Sequence, residues 1–340
     1  MEFNHNPVML EECIQGLNIR KNGIYVDGTL GGAGHSLEIV KRLSSNGKLI
    51  GIDRDLEALK AAKERLKEFK NVEYIHGNHD DIKQILKEKN IEKVDGILLD
   101  LGVSSYQLDE RNRGFSYLGN NELDMRMDKT QELTAKRVVN EYSEERLYKI
   151  IDEYGEERFA KNIARNIVKQ REIKEISSTE ELVNIIETSI PKSKQKEGHP
   201  AKRTFQAIRI EVNNELGVIN KMIDDAVSMM NKGGRICIIT FHSLEDRIVK
   251  ETFNKYSKVD SNLSKLPYIP EEYLPKYKII VNITPTDKEI EENPRARSSR
   301  LRVIERIKDW YKWRKRRIKS LLLKKIRIEV KLSHYFNNNI

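Results

Sequence analysis

The chain has very little cysteine, and its apolar runs are short. Cys13 and Cys237 are its two cysteines in 340 residues, and their separation fits neither a disulfide-rich fold nor a metal or redox motif. The first residues show no basic stretch followed by an apolar one, and no apolar run approaches the ~20 residues of a membrane-spanning helix. We therefore expect a cytoplasmic protein without a transmembrane segment or a metal site.

Tryptophan is almost absent, and residues 1–307 carry no net charge. Trp310 and Trp313 lie in residues 308–340, where eleven basic residues outnumber two acidic ones, so this C-terminal tail carries the whole net charge of +9. Cations beside aromatic rings are what an RNA anchor requires. Apolar residues between Leu321 and Ile328 also suit a membrane surface. A tail that is disordered or packs on itself is the third alternative.

The chain also lacks the G-x-G-x-x-G motif of dinucleotide-binding loops, because Leu37 stands where the third glycine would be. A glycine-dense segment, residues 27–36, instead joins a short apolar run to a stretch with helical spacing. Glycine lets backbone N–H groups approach a ligand closely, and a helix N-terminus favours negative charge. This unit suits S-adenosylmethionine, with its amino-acid end and its nucleoside. A glycine-rich turn without a ligand is the plain alternative.

Short apolar runs that alternate with helical spacing predict a doubly wound α/β sheet. The second run ends at Asp53, where a carboxylate can bind both ribose hydroxyls of a nucleoside, as it could in an NAD-binding protein. Asp55 is better explained as the N-cap of the following helix. The fourth run ends at Asp100. Because the carboxyl ends of such strands border the ligand crevice, we expect Asp27, Asp53 and Asp100 to meet there.

A long insertion interrupts this pattern. Roughly 135 residues separate the fourth strand from the fifth, although a crossover needs only a dozen or more. Apolar spacing predicts helices in the insertion at residues 134–153, 156–170 and 179–188, with a capping box at Ser178 and Glu181. Two final strands, 277–283 and 299–307, suit a hairpin at the sheet edge. The predicted organisation is a core in residues 1–110 and 211–307, an inserted helical domain in 111–210, and the tail in 308–340.

Seven motifs resemble the RsmH family, also called MraW, between about residue 4 and residue 307. They are NPVML at 6–10, the glycine segment at 28–36, GILLDLGVSS at 96–105, LDMRMD at 123–128, RTFQAIRI at 203–210, FHSLEDR at 241–247 and NPRARS at 293–298. The resemblance implies a class I, Rossmann-like S-adenosylmethionine-dependent methyltransferase with an inserted helical domain. It also implies methylation of N4 of a decoding-centre cytosine, at the P site of 16S rRNA, in the 30S subunit.

The same resemblance assigns residues to the cofactor site. It implies that Ala33, Gly34 and His35 contact the methionine end of the cofactor and that Asp53 binds the ribose. Asp100 and Gln107 complete the site. His79 stands where many members have an aromatic residue, and its imidazole can still stack on adenine. Asp27, at the end of the first predicted strand, is added to these residues. The predicted cofactor site therefore consists of Asp27, Ala33, Gly34, His35, Asp53, His79, Asp100 and Gln107.

The cysteine content also bears on which atom of cytosine is methylated. Methylation of C5 needs a cysteine nucleophile, and neither cysteine follows a proline in a loop. Methylation of N4 needs the exocyclic amine to be oriented toward the methyl donor. Asp100 is the first candidate to accept a hydrogen bond from that amine, and the secondary candidates are Ser104, Ser105 and His242. The chain lacks the Asp/Asn-Pro-Pro-Tyr signature expected of a DNA amino-methyltransferase, which is one alternative; a non-catalytic ribosome assembly factor is another.

Basic side chains of the insertion suit an RNA substrate. Three of them recur at every fourth position of one predicted helix and form a basic stripe, which is either an RNA contact or a solvated face. The predicted RNA contacts are Lys161, Arg165 and Lys169 in this stripe, Lys202 and Arg203 in a basic loop, and Arg295 and Arg297 in NPRARS. A homodimer is one alternative for the oligomeric state, which the sequence leaves open.

Overall fold

The fold is built on one seven-stranded sheet. The computed structural model describes residues 7–195 and 198–307. The strands are β1 (Ile24–Asp27), β2 (Lys48–Asp53), β3 (Val72–His76), β4 (Val94–Asp100), β5 (Met230–Thr240), β6 (Tyr277–Ile283) and β7 (Arg300–Arg306). The helices are α1 (Leu10–Leu17), α2 (Gly34–Val40), α3 (Leu56–Arg65), α4 (Ile82–Glu88), α5 (Ser105–Asp109), α6 (Ala135–Glu141), α7 (Glu144–Gly155), α8 (Ala160–Ile173), α9 (Thr179–Ser189), α10 (Lys202–Asn213), α11 (Ile219–Met229), α12 (Ser243–Ser257) and α13 (Asp287–Glu292).

The strand order is β3-β2-β1-β4-β5-β7-β6. The strands β1 to β5 pair in parallel, and β7 is antiparallel to both of its neighbours. This arrangement confirms the predicted Rossmann-like α/β class and the hairpin at the sheet edge. It also brings the carboxyl ends of β1, β2 and β4 side by side, which is where a ligand crevice is expected. Within the described ranges, no helix has both the length and the apolar character needed to cross a membrane.

Two predicted helices are wrong in their extent. The helix predicted at 156–170 is α8, which begins at Ala160 and ends at Ile173, because Glu156 is the left-handed C-cap of α7. Residues 134–153 form two helices, α6 and α7, because the backbone is extended at Tyr142 and the Ser143 side chain accepts a hydrogen bond from the backbone N–H of Arg146. The apolar spacing continues across this break and therefore concealed it. The capping box of Ser178 and Glu181 at the start of α9 is confirmed.

The buried apolar side chains form three clusters. Two of them cover the opposite faces of the sheet, with Leu99 in one and Leu98 in the other, because successive side chains of a strand point to opposite faces. The third cluster lies within residues 115–212 and includes buried positions of α7, α8 and α10. The inserted segment thus has a hydrophobic core of its own, while the exact domain boundaries stay a prediction.

The insertion is held to the sheet by polar contacts around Arg113, whose side chain is buried. Arg113 Nη1 lies 3.0 Å from Asp55 Oδ2 and 3.1 Å from Glu57 Oε2. Arg113 Nη2 donates to the carbonyl oxygens of Arg126 and Met127 in the insertion. One guanidinium therefore joins the first turn of α3 to the LDMRMD segment. Asp55 also accepts a hydrogen bond from the Glu57 N–H, which confirms its predicted role as the N-cap of α3.

Candidate functional site

A cleft of about 410 Å³ opens at the carboxyl ends of β1, β2 and β4. This volume lies in the range of small-molecule pockets, ~300–1,000 Å³. Glycine-segment residues, Asp53, His79 and Asp100 line one part of it. Tyr117 and Phe205 of the insertion line another part. The cleft therefore runs from the sheet to the inserted domain.

The glycine segment is shaped by backbone conformation more than by side chains. Gly31 and Ala33 have φ angles of +49° and +57°, in the left-handed region that alanine rarely adopts. Gly34 begins α2 against Pro7, where any side chain would overlap the proline ring. The predicted contact residues Ala33 and Gly34 thus lie in a tight turn, and of these two Gly34 lines the cleft.

Asp27, the first residue of the glycine segment, is buried beneath the turn that follows it. It is not among the described residues that line the cleft. Its Oδ2 accepts a hydrogen bond of 2.7 Å from Ser36 Oγ, and its Oδ1 accepts one of 3.2 Å from the Thr29 N–H. Burial raises the pKa of Asp27 to about 6, although both hydrogen bonds favour the ionised form. Both oxygens of Asp27 thus shape the loop, and Gly28 and Thr29 line the cleft in its place. The role of Asp27 in the cofactor site stays a prediction.

Asp53 lies at the end of β2 and lines the cleft, as expected. Its Oδ2 accepts a hydrogen bond of 2.7 Å from the Gly31 N–H, and its Oδ1 accepts one of 2.8 Å from the Asp55 N–H. Burial raises its pKa, and these backbone donors oppose that rise. Each carboxylate oxygen can accept a second hydrogen bond. The geometry therefore leaves acceptor capacity for two ribose hydroxyls.

Asp100 lies at the end of β4 and also lines the cleft. Its backbone N–H donates to Thr29 Oγ1 at 2.6 Å, which fixes the end of β4 against the glycine segment. Its Oδ1 is buried without a hydrogen-bond partner, and its Oδ2 lies 4.0 Å from His35 Nδ1. Sequence reasoning missed Thr29, although its place in the glycine segment was a signal. The carboxyl group of Asp100 has room for a partner that the chain does not supply in its described part.

His35 and His79 are both buried and line the cleft. His35 Nε2 lies 3.0 Å from the Val8 carbonyl oxygen, so the proton resides on Nε2 and Nδ1 faces Asp100 without one. Burial lowers the pKa of His35 to about 4 and that of His79 to about 3. Both imidazoles are therefore neutral at pH 7. A neutral His79 ring suits the predicted stacking on adenine, which stays a prediction.

Gln107 and Ser104 hold the first turn of α5 at the edge of the cleft, which both residues line. The Ser104 N–H donates to Gln107 Oε1 at 3.1 Å, and the Gln107 N–H donates to Ser104 Oγ at 3.2 Å. Gln107 Nε2 donates to Asp55 Oδ2 at 3.0 Å. Both side chains are thus engaged in positioning α5. Ser105 begins α5, and its side chain lies outside the described part of the structure.

His242 is the N-cap of α12, a role that the sequence did not indicate. Its Nε2 lies 3.1 Å from Glu245 Oε1, and its Nδ1 lies 3.5 Å from the Glu245 N–H. Burial opposes ionisation of Glu245, but His242 and Arg209 hold its pKa below the usual value. Nδ1 thus caps α12, whereas Nε2 is buried without a hydrogen-bond partner among the described residues. Because His242 also lines the cleft, its contact with a target amine stays a prediction.

The same region contains a group of residues with the chemistry of metal ligands. Ligand atoms of Glu215, His242 and Glu245 lie within 4.8 Å of one another. However, Arg209 donates to both oxygens of Glu215, at 2.8 and 2.9 Å. The guanidinium already neutralises that carboxylate and would repel a cation. We therefore interpret the group as an ion-paired network that supports the floor of the cleft.

The predicted RNA contacts fall on two surfaces. Lys202 and Arg295 line the cleft, and Arg295 Nη2 donates to Asp109 Oδ1 at 2.5 Å. Lys202 and Arg203 begin α10, so the predicted basic loop is wrong at these two residues. Arg203 donates to the Glu156 carbonyl oxygen, and Arg297 is exposed. The basic stripe of α8 is exposed but does not line the cleft. Arg165 Nε, in the middle of the stripe, lies 3.9 Å from Glu144 Oε1. Predictions about the tail concern residues 308–340, which lie outside the described residues.

Comparison with known proteins places these features in a family context. The model of the MraW methylase family matches residues 2–307. The chain is 56% identical over 309 residues to "Ribosomal RNA small subunit methyltransferase H" of Clostridium botulinum (strain Kyoto / Type A2), covering 90% of this chain and 100% of that protein. The protein of the same name from strain Loch Maree / Type A3 is 55% identical with the same coverage. A solved rRNA methylase from Streptococcus thermophilus covers 90% of this chain and 100% of its own, but at 11% identity and a TM-score of 0.41 it is too distant to inform function.

Proposed function

Because the chain belongs to the MraW methylase family, we propose that it uses S-adenosylmethionine to methylate N4 of a decoding-centre cytosine of 16S rRNA in the 30S subunit. The coarser activity, methylation of small-subunit rRNA, agrees with the names of its relatives. The choice of N4 rests on the chemistry of the cleft and on the motifs quoted above, and the choice of a P-site cytosine rests on the resemblance of those motifs alone. A homodimer stays an open alternative.

The observation that carries this proposal is the cleft that extends from the glycine segment to the insertion, with Asp100 among its lining residues. No cysteine is among the described residues that line it. Cys13 and Cys237 are fully buried, and burial raises the pKa of both thiols, so neither is poised as a nucleophile. This supports transfer to an exocyclic amine over transfer to ring carbon C5.

The residues fit the cofactor in three respects. Asp53 retains acceptor capacity for ribose hydroxyls, the glycine segment allows close approach of its backbone, and the Asp100 carboxyl lacks a cationic partner among the described residues. S-adenosylmethionine supplies an electrophilic methyl group on a positively charged sulfur. Asp100 would accept a hydrogen bond from the target amine and so orient its lone pair. The aromatic side chains of Tyr117 and Phe205 would exclude water and pack against the base.

A methyl-transfer assay tests the proposal. Labelled methyl transfer would be measured on 30S subunits, naked 16S rRNA and DNA, and the modified nucleoside would be identified by mass spectrometry. We expect N4-methylcytidine in rRNA from 30S subunits. Label in DNA alone, label on C5, or no transfer to any substrate by a folded protein that binds the cofactor would contradict it; the last result would indicate an assembly factor.

Replacing Asp53 tests the cofactor half of the cleft. We expect Asp53→Ala to weaken binding of S-adenosylhomocysteine roughly 10- to 150-fold, because a lost charge-assisted hydrogen bond costs ~1.5–3 kcal/mol. Calorimetric titration would measure the affinity. Asp53→Asn is the matched control, since it keeps one carbonyl acceptor and should lose less. An unchanged affinity in folded Asp53→Ala would remove Asp53 from the site.

Replacing the basic stripe tests whether α8 contacts RNA. We expect the Lys161, Arg165 and Lys169 triple alanine variant to bind 30S subunits more weakly and with less salt dependence, because each lost phosphate contact removes ~0.7–0.9 from the slope of log K against log salt. Cofactor affinity should not change. The control is a triple alanine variant of exposed lysines on α3 and α4, at Lys60, Lys83 and Lys87. Equal salt slopes for both variants would show that the stripe is only a solvated face.

A further inference from the structure

The carboxyl group of Asp100 lines the cleft without a cation beside it among the described residues. Its Oδ1 is buried without a hydrogen-bond partner, and among the described residues the basic atom that lies within 4.0 Å of Oδ2 is His35 Nδ1. Because His35 donates its ring proton to the Val8 carbonyl oxygen, the atom that faces Asp100 is an acceptor and not a cation. The Asp100 side chain as a whole is 27% exposed, but its Oδ1 is buried, and a buried carboxylate oxygen is normally paired with a cation or with several donors. The described part of the chain provides neither for Asp100.

Among the described residues, the charged groups that act on Asp100 are both negative. Asp27 lies at the end of β1 and Glu245 in the first turn of α12, and both act on Asp100 as like charges. Cys13 of α1 is close enough to be influenced by Asp100, and its thiol is neutral. Burial, followed by the charges of Asp27 and Glu245, raises the pKa of Asp100 to about 8. Without a ligand, this environment therefore favours the protonated form of Asp100.

We propose that Asp100 links the charge of the cofactor to a proton, which it loses when S-adenosylmethionine binds and regains from the target amine when the methyl group is transferred. The first half of this cycle rests on the cofactor alone, and the second half rests on the proposed function. The positively charged sulfur is the cation that the site lacks. The sulfur of S-adenosylhomocysteine is neutral, so binding of this ligand does not stabilise the carboxylate form of Asp100 in the same way.

The transfer step balances in atoms and charge. The amine lone pair forms the N4–CH₃ bond, and the S–CH₃ bond breaks with its electron pair remaining on sulfur. The proton released from N4 passes to the Asp100 carboxylate. A positive sulfur and a carboxylate would thus become a neutral sulfur and a carboxylic acid, so that the net charge of this pair is zero both before and after the transfer. Because the reaction removes the cation that lowered its pKa, Asp100 becomes a stronger base as the methyl group moves.

Proton release on cofactor binding tests the first half without RNA. Calorimetric titration of the full-length protein with S-adenosylmethionine and with S-adenosylhomocysteine would be run at pH 7 in phosphate and in Tris, whose ionisation enthalpies differ. We expect S-adenosylmethionine to release up to one more proton. Its affinity should also rise by up to about tenfold per pH unit between pH 6 and 8, more steeply than that of S-adenosylhomocysteine. Equal proton counts for the two ligands would overturn the proposal.

Variants identify the group that titrates. Asp100→Asn should abolish the difference between the two ligands, whereas Asp109→Asn, at an exposed carboxylate paired with Arg295, should retain it. If the extra proton persists in Asp100→Asn, its source is another group, such as Asp27, and the proposal is wrong. Should Asp100→Asn fail to fold, infrared difference spectra of the wild-type protein give the same answer. The carbonyl band of a protonated carboxylic acid should be present with S-adenosylhomocysteine and lost with S-adenosylmethionine; a band that does not change contradicts the proposal.

Failure here can be distinguished from failure of the proposed function. The binding titrations contain no RNA, so their outcome does not depend on which nucleotide is methylated. Absence of methyl transfer to 30S subunits would leave the proton release intact and refute only the second half of the cycle. Methyl transfer to N4 with no difference in proton release would support the proposed function and remove Asp100 as the coupled group.

Discussion

Asp100→Asn should lower kcat for methyl transfer to 30S subunits by about 10²- to 10⁴-fold, the range attributed to a positioned proton acceptor. The amide is nearly isosteric with the carboxyl group, but it can neither ionise beside a cation nor take up the amine proton. Turnover would be measured at saturating RNA and cofactor, since the variant should also bind S-adenosylmethionine more weakly. A variant with wild-type kcat would show that Asp100 has no part in the reaction.

Thermal melting of the same variant separates a catalytic role from a structural one. The folded-state pKa of Asp100 is raised to about 8, above the ordinary value near 4. Stability from this group is therefore fully present below pH 4 and is lost as the pH rises toward 8. The asparagine side chain does not titrate, so the variant does not lose stability in this way. The melting temperature of the variant minus that of the wild type should therefore increase from pH 4 to pH 8. A much lower melting temperature with normal turnover of the folded fraction would mean that Asp100 is structural.

Arg113→Met should destabilise the protein by about 3–5 kcal/mol, the cost of leaving a buried charge without its partner. The Arg113 and Asp55 side chains are only 2% and 5% exposed, and Asp55 would lose its ion pair while remaining the N-cap of α3. Two backbone carbonyls of the LDMRMD segment would also lose their donor. The free energy of unfolding would be measured by chemical unfolding followed by far-UV circular dichroism. Tryptophan fluorescence would not serve, because both tryptophans lie in the tail.

Two controls accompany this prediction. Arg137→Met removes an exposed ion pair with Glu141 on α6 and should change stability by no more than about 0.5 kcal/mol. Arg113→Met combined with Asp55→Asn should recover part of the loss, because asparagine keeps the N-cap oxygen without the charge. Equal stabilities of Arg113→Met and Arg137→Met would show that the buried pair does not hold the insertion to the sheet.

The order of elements and the place of the site follow from local sequence. Apolar runs ending at Asp53 and Asp100, with glycines after the first run, predict parallel strands and a crevice at their carboxyl ends. These features are readable because strand alternation, glycine conformation and helix capping each depend on a few neighbouring residues. The gap before β5 likewise revealed an insertion. The break between α6 and α7 was missed because apolar spacing alone does not show where one helix ends.

The roles of individual side chains within the site depend on contacts between distant segments. Asp27 and Asp100 occupy equivalent strand ends, yet Ser36 and Thr29 occupy the oxygens of Asp27 while Asp100 remains without a partner. No local pattern distinguishes these two aspartates. The sequence by itself determined the α/β class, the crevice and two of its acids, Asp53 and Asp100, because those depend on short-range preferences. Only the tertiary structure decided which acid is free to act, because burial and hydrogen-bond partners are set by residues far apart in the chain.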